Sequence, residues 1–135
     1  MNFDRRYFQP LSFTPEQWRQ YFASAERDVH IAQTAKLAEI QFTFAYNALI
    51  KIGIALIAAN GYKVRSQPGH HVKIIDVLSR ILKDENIALM GDAMRQKRNL
   101  DLYDGGDIIT DAEGEEYAAF VAQVLKRAEK LNSEH

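Results

Sequence analysis

The sequence predicts an all-α protein, an up-and-down antiparallel bundle of about five helices. Apolar residues recur at intervals of three and four along most of the long segments, which is the period of one helix face. Short connections with glycine, proline or capping residues separate these segments, and such connections favour antiparallel neighbours. No segment alternates with a period of two for long enough to indicate a strand.

The first helix follows an N-terminal arm. The arm, residues 1–13, holds aromatic side chains and Pro10 without a regular period, so we expect it to be irregular and to pack its rings onto the bundle. Thr14 can act as the N-cap, Pro15 suits the first helical position, and Gln17 can complete a capping box. Helix 1 then continues to about Thr34, with apolar residues at helical spacing: Trp18, Phe22, Ala25, Val29 and Ala32.

The second helix is predicted to be the central one. It covers about Leu37–Ala59, is apolar nearly all round, as a buried helix is, and stops at Asn60–Gly61. Its longest apolar run, Ala48–Ala59, is interrupted by Lys51 and Gly53 and is shorter than the roughly 20 residues of a membrane span. The start of the chain contains no apolar leader segment. We therefore expect no contact with a membrane and a cytoplasmic location.

The second half of the chain is expected to add three helices. Residues 61–69 read as a loop, because Pro68 and Gly69 interrupt any regular pattern. The helices and the tail that follow are expected at His70–Lys83, at Asn86–Tyr103, from a cap at Thr110 or Asp111 to about Leu131, and as a frayed segment over residues 132–135. Residues 14–131 are thus predicted to form a single bundle domain, which suits a chain of 135 residues.

The composition excludes several classes of function. The chain has 17 basic and 18 acidic side chains and a net charge of −1, whereas a general polyanion binder is usually strongly basic. It has no cysteine, which excludes disulfides, thiolate metal sites and a cysteine nucleophile. No motif matches a metal site, a P-loop or a nucleophile elbow. We expect neither a metal nor a cofactor.

A cationic cluster near the end of helix 4 is the main candidate site. Arg95 and Arg98 are three residues apart and Asn99 is four beyond Arg95, so all three share one side of a helix. Two guanidinium groups and an amide on one side can bind a phosphate through paired hydrogen bonds, and Lys97 adds charge. The alternative is an ordinary solvated helix face, with Lys97 and Asp101 as a surface ion pair.

Three further side chains could take part in chemistry. Tyr103 can donate a hydrogen bond to a phosphate oxygen, although from the sequence alone packing against helix 5 is favoured. His70 and His71 open helix 3, where an imidazole can serve as an acid or a base near neutral pH. Since adjacent residues do not share a helix face, we expect one histidine to point outward and the other toward a neighbour. For these two histidines we favour a structural or capping role over a catalytic one.

The end of helix 4 carries a resemblance to a known family. The pattern Arg98-Asn99-x-x-x-Tyr103 resembles the signature of HEPN domains (higher eukaryotes and prokaryotes nucleotide-binding). In that signature an Arg, often followed by Asn or another polar residue, precedes a His by four to six residues. Upstream, Ala45-Tyr46-Asn47-Ala48 in the long helix, its end at Asn60-Gly61-Tyr62, and Gly69-His70-His71 at the start of the next helix are also similar to that family. The resemblance covers about residues 20–128.

The resemblance implies a function in nucleic-acid metabolism. Many HEPN proteins are metal-independent ribonucleases, often toxins paired with an antitoxin of the nucleotidyltransferase fold, and others are nucleic-acid-binding modules. They typically form dimers that bring two motifs into one cleft. By this likeness Arg98 would hold a phosphate, Asn99 would orient it and Arg95 would add charge.

One departure from the family pattern affects the predicted activity. Tyr103 stands where the motif has His, and the imidazole is the obvious acid or base for attack by a ribose 2′-OH. We therefore expect a homodimer that binds RNA or a nucleotide, as part of a toxin–antitoxin or defence pair. One alternative is an active metal-independent ribonuclease that cleaves RNA by 2′-OH attack, for which His70 and His71 are secondary candidates to replace the missing base. The other is a structural or protein-interaction bundle without a nucleic-acid role.

Overall fold

The computed structural model describes residues 2–103 and 109–133, except for the side chains of residues 101–103. The described residues confirm the all-α bundle. They form five helices and two short strands: β1 (Phe8–Pro10), α1 (Pro15–Thr34), α2 (Ala38–Ala59), β2 (Tyr62–Val64), α3 (His70–Leu82), α4 (Glu85–Tyr103) and α5 (Asp111–Ser133).

The first two helices form an antiparallel pair. The Thr14 hydroxyl accepts a hydrogen bond from the Gln17 backbone N–H, and the Gln17 side chain accepts one from the Thr14 N–H, which confirms the predicted capping box. Only three residues separate Thr34 from Ala38, and the two helices pack extensively on each other. So short a connection between packed helices requires the chain to reverse direction.

Helix α2 lies at the centre and contacts each of the other four helices. By length and composition it could cross a membrane, with a mean hydropathy of 1.7 over an 18-residue window. The sequence argument that the apolar run is too short to span a membrane is therefore too strict, because Lys51 and Gly53 do not interrupt the helix. However, 67% of that window is buried inside the bundle, as in the core helix of a helical protein, so its length is a weak indication of a membrane span.

The lysine within α2 has a buried partner. The Lys51 ammonium lies 2.7 Å from a carboxylate oxygen of Asp28 on α1, whose side chain is 6% exposed. A charge this deeply buried is tolerated when it is paired. The ion pair therefore accounts for a cation in the apolar second half of α2, and it links α1 to α2.

The N-terminal arm is more regular than predicted. Residues 8–10 pair antiparallel with residues 62–64, with Phe8 opposite Val64 and Pro10 opposite Tyr62. The expectation of no strands, with residues 61–69 a loop throughout, is therefore wrong at these positions. Three-residue strands are too short for an alternating pattern to show in the sequence. The expected packing of the arm's rings is confirmed, since Phe8 is 1% exposed and joins the core.

Helix α3 packs closely on both α2 and α4 through two glycines. A Cβ placed on Gly53 of α2 would collide with the side chain of Ile74, and a Cβ on Gly91 of α4 would lie 2.6 Å from Cγ2 of Ile75. Ile74 and Ile75 are adjacent in α3 and are both buried, so they face different neighbours. Glycine at 53 and 91 lets the three helix backbones approach, and this sets the distance between α3 and α4.

The remaining boundaries agree with the sequence to within one or two residues. The Thr110 hydroxyl accepts a hydrogen bond from the Glu113 N–H, and the Glu113 carboxylate accepts one from the Thr110 N–H, so Thr110 rather than Asp111 caps α5. Helix α5 extends to Ser133, which is beyond the predicted end at Leu131. Of the predicted frayed segment, residues 132 and 133 are helical, and residues 134 and 135 lie outside the described part of the chain.

Substituting Gly91 by Ala should destabilise the protein by forcing α3 away from α4. The overpacking cost of about 1–3 kcal/mol is partly offset by about 1 kcal/mol of added helix propensity. All three atoms nearest to the added methyl belong to the Ile75 side chain. In an Ile75→Ala background, Gly91→Ala should therefore become neutral or stabilising. Urea denaturation of the four variants tests this prediction, and an equal cost in both backgrounds would contradict it.

Candidate phosphate-binding site

An open cleft of about 580 Å³ lies between the start of α3 and the second half of α4. One wall comes from the loop that follows β2 and from the first turn of α3, and the other comes from one side of α4. Its lining consists of Ser66, Gln67, Pro68, Gly69, His70, His71, Val72, Arg95, Arg98 and Asn99. The cleft thus brings together two groups of sequence-predicted residues that lie on different helices.

The α4 wall has the arrangement that the spacing predicts, with Arg95, Arg98 and Asn99 on one side of the helix. The Arg95 guanidinium is partly neutralised, because its Nη2 and Nε lie 2.9 and 3.2 Å from one carboxylate oxygen of Asp92. Arg98 and Asn99 are exposed. Among the described residues no carboxylate forms an ion pair with Arg98. Arg98 is therefore the cation of this wall that is best placed to receive an anion.

The Arg98 guanidinium lies against an aromatic ring of the core. Its Cζ lies 5.5 Å from the centroid of the Tyr46 ring, within the range of a cation–π interaction. Tyr46 belongs to the buried helix α2 and is only 1% exposed. The guanidinium therefore rests on the core, while the rest of its surface faces the cleft and the solvent.

Lys97 differs from the prediction that it joins the phosphate-binding group. Its ammonium lies 2.7 Å from a carboxylate oxygen of Glu113 on α5, and Lys97 does not line the cleft. The reason is helical geometry: with about 100° of rotation per residue, Lys97 points to the side of α4 opposite Arg95 and Asn99. Lys97 thus helps to hold α4 against α5.

The prediction for Tyr103 lies outside what the structure describes. Its backbone is the last residue of α4, but its side chain is not among the described ones. The cleft as described is therefore built without Tyr103.

The α3 wall begins with a histidine whose tautomer is fixed. The Nδ1 of His70 lies 2.7 Å from the backbone carbonyl oxygen of Gln67. Because a carbonyl oxygen only accepts, this Nδ1 must carry a proton, and in neutral His70 the lone pair then resides on Nε2. The preceding Gly69 has φ +80°, a conformation that glycine adopts without strain, and this turn directs the chain into α3.

His71 is held by a buried hydroxyl. Its Nδ1 lies 2.9 Å from the Tyr46 hydroxyl, and the centroids of the His70 and His71 rings are 4.5 Å apart. Both histidines line the same cleft: His71 points toward Tyr46 on α2, as expected for one of the pair, and His70 turns back to the Gln67 carbonyl of its own loop. At the first turn of a helix, side chains of adjacent residues can both reach a groove that runs past the helix end.

Burial and nearby cations keep the imidazole of His71 neutral. Desolvation, followed by the proximity of His70, Arg98 and Arg95, lowers the pKa of His71 from 6.5 to about 4. Burial raises the pKa of Tyr46 above its ordinary value, although Arg98 and Arg95 oppose that shift. At neutral pH both groups are therefore uncharged, and their hydrogen bond joins two neutral partners.

The chemistry of the lining suits an oxyanion better than a metal. Within the described ranges no group of three or more His, Asp or Glu side chains is arranged to hold a metal ion. By contrast, two guanidinium groups, one amide and the first turn of α3 all face the cleft, and each of these features favours an anion. The arrangement can bind a phosphate, and it places two imidazoles beside the position where the phosphate would lie.

Comparison with known proteins found no family model, no curated protein and no solved structure that matches this chain.

Tyr46 and Gln67 make contacts in the site that the sequence analysis did not assign to them, since Tyr46 appeared only within the family resemblance and Gln67 only within the expected loop. Tyr46 sits inside an apolar helix and looks like a core residue, which it also is. Gln67 acts through its backbone carbonyl, which leaves no signal in the side-chain pattern. The available clue to Tyr46 was its polar hydroxyl in a helix predicted to be buried, since a buried Tyr usually has a hydrogen-bond partner.

The lowered pKa of His71 predicts a specific loss of stability in acid. Between pH 6.5 and about 4 the unfolded chain binds a proton at this residue and the folded chain does not, so falling pH favours unfolding. The His71→Gln variant should therefore lose less stability than the wild type between pH 7 and pH 5, as measured by urea denaturation. Equal losses, or an NMR titration of His71 with a midpoint near 6.5, would contradict this prediction.

Proposed function

We propose that this protein binds RNA or a nucleotide through a phosphate held in the cleft, as a HEPN-like homodimer. The observation that carries the proposal is the meeting of Arg95, Arg98 and Asn99 on one wall with His70 and His71 on the other. The most specific part of the resemblance is the α4 motif, and the geometry of the cleft is a second reason to assign phosphate binding to Arg98 and Asn99.

The charges in the cleft support a specific site. Arg98 presents a guanidinium that can donate two parallel hydrogen bonds to one phosphate, while the paired Arg95 contributes less net charge because of Asp92. The amide of Asn99 and the N-terminal end of α3 add donors without adding charge. A phosphate that reaches this cleft would be recognised mainly by geometry, which is compatible with a chain whose net charge is −1.

Dimerisation is part of the proposal, because two adjoining clefts would double the positive field. Apolar surface beside the cleft supports it: Leu89 is 71% exposed and Val72 is 41% exposed. These two residues line a groove between α3 and α4, and Val72 also borders the cleft. From the resemblance alone we further propose that the protein is one member of a toxin–antitoxin or defence pair, with a nucleotidyltransferase-fold partner. The cytoplasmic location expected from the sequence stays a prediction.

Replacing Arg98 by Ala should weaken RNA binding about tenfold or more, because charge-assisted hydrogen bonds are worth about 1.5–3 kcal/mol. Fluorescence anisotropy with a labelled single-stranded RNA measures the dissociation constant. Lys97→Ala is the matched control, since it removes the same charge from the same helix outside the cleft. It should change the affinity far less.

Two outcomes would reject this function. If the wild type binds no RNA or nucleotide at low salt, or if Arg98→Ala and Lys97→Ala weaken binding equally, the cleft is not the binding site. Absence of binding would favour the structural or protein-interaction bundle, whereas equal weakening would place the RNA-binding surface outside the cleft. Binding that weakens as the salt concentration rises is expected for phosphate contacts.

A ribonuclease is the second candidate function, and the position of His70 favours it. Donation from Nδ1 to the Gln67 carbonyl leaves the Nε2 lone pair free to take a proton. In that reaction Nε2 would accept the proton of a ribose 2′-OH, and the 2′-oxygen would attack phosphorus. The bond from phosphorus to the 5′-oxygen would break, and water would protonate the leaving oxygen. Arg98 would stabilise the charge that develops on the phosphate.

An RNA-cleavage assay with EDTA separates the two functions. If the protein is a ribonuclease, it should cleave without metal, leave a 2′,3′-cyclic phosphate, and lose activity in Arg98→Ala. His70→Ala should lower the rate by about 10²–10⁴-fold, the usual contribution of general acid–base catalysis. Undiminished cleavage by the His70→Ala/His71→Ala double variant would exclude the histidines as the base. Binding without any cleavage would leave the first proposal as the function.

A further inference from the structure

We propose that Tyr46 is a positioning residue that fixes the α3 wall and the α4 wall of the cleft relative to each other. This inference rests on the proposed phosphate-binding function. Its hydroxyl fixes His71 on α3, and its ring supports Arg98 on α4. One buried side chain of the central helix would thus set the relative placement of the imidazole and the guanidinium.

The first observation is that Tyr46 contacts both walls. Its hydroxyl oxygen lies 2.9 Å from Nδ1 of His71, and its ring centroid lies 5.5 Å from Cζ of Arg98. The Tyr46 and His71 rings have centroids 5.7 Å apart. Tyr46 thus joins the α3 wall to the α4 wall through one hydrogen bond and one ring contact.

The second observation is that Tyr46 itself has little freedom to move. It is 1% exposed and lies in the core beside Ala45 and Leu49, which are 1% and 0% exposed. Close packing of this kind leaves a large side chain little room to move. Because α2 contacts both α3 and α4, a fixed group on α2 provides a common reference for residues on the two outer helices.

The third observation concerns the groups that face His71. Besides Tyr46 from α2, they are His70 from α3 and Arg95 and Arg98 from α4, and Asp92 lies against Arg95. None of the four side chains that face His71 is negatively charged at neutral pH, and the Asp92 carboxylate accepts hydrogen bonds from Arg95 and Gln96. The Tyr46 hydroxyl is therefore the polar group that orients the imidazole.

The hydrogen bond can persist in either histidine tautomer. Since burial raises the pKa of Tyr46, the hydroxyl keeps its proton at neutral pH. It can donate to an unprotonated Nδ1 or accept from a protonated one. In both cases Nδ1 is occupied by Tyr46, which directs Nε2 of His71 away from α2.

Positioning of this kind should increase the affinity of the cleft for a phosphate. An arginine that already rests on a ring loses less side-chain entropy when it binds a phosphate. A histidine that is already held by a hydroxyl likewise needs no reorientation. Loss of the hydroxyl should loosen only the α3 wall, whereas loss of the ring should loosen both walls.

The test is Tyr46→Phe, which removes the hydroxyl and keeps the ring beneath Arg98. RNA affinity should fall about two- to tenfold, the usual range for one neutral hydrogen bond. The side-chain nitrogen resonances of His71 should shift, because Nδ1 loses its partner. Tyr117→Phe is the matched control: it removes the hydroxyl of another buried tyrosine (7% exposed), which packs against Phe42 away from the cleft lining. It should leave both readouts unchanged.

A double-mutant cycle distinguishes positioning from general stability. In a His71→Ala background, Tyr46→Phe should cause no further loss of affinity, because the partner of the hydroxyl is already gone. A full additional loss there would overturn the proposal. Unchanged His71 resonances in Tyr46→Phe, with or without a lower melting temperature, would also overturn it.

Failure of the inference can be told apart from failure of the proposed function. If the wild type binds RNA but Tyr46→Phe binds equally well, only the positioning role is rejected. If the wild type binds no RNA, the phosphate-binding function is rejected, and with it the functional meaning of the contact. The His71 resonances then still report whether Tyr46 orients the imidazole.

Discussion

The close approach of α3 to both α2 and α4 is the constraint on which the rest of the structure depends. Gly53 and Gly91 leave room for the adjacent residues Ile74 and Ile75, which pack in two directions from one helix. A methyl group at either glycine would need space that the isoleucine already occupies. The width of the cleft is therefore set in the core, by contacts between apolar side chains and backbone, well below the polar residues that line it.

This packing and the N-terminal arm together fix the positions of the cleft walls. The Arg65 backbone N–H donates to the Tyr7 carbonyl oxygen over 2.7 Å, and the Arg65 side chain donates to the carbonyl oxygen of Arg5 over 3.1 Å. These bonds extend the β1–β2 pairing and fix the start of the loop at residues 66–69, which forms part of the α3 wall. The arm thus contributes to the site although it donates no side chain to the lining.

The parts of this protein that follow from local sequence were predictable, and those that follow from tertiary contact were not. The start of helix 1 could be predicted from its capping box, and the shared face of Arg95 and Arg98 follows from their spacing. The pairing of Lys97 with Glu113 and the contact of Tyr46 with His71 join residues on different helices. The sequence spacing of the two residues in each pair does not predict their contact, because the contact forms only when the helices pack.

The charge balance of the cleft is compatible with the proposed binding of a phosphate by a nearly neutral chain. Asp92 compensates Arg95 and Glu113 compensates Lys97, so much of the positive charge on α4 is already satisfied within the protein. Arg98 remains without an ion pair among the described residues, and the neighbouring His71 stays neutral because its pKa is low. The attractive field is therefore concentrated at one guanidinium. A polyanion would gain little along the rest of this helix, and binding would depend on a phosphate that fits between Arg98 and the start of α3.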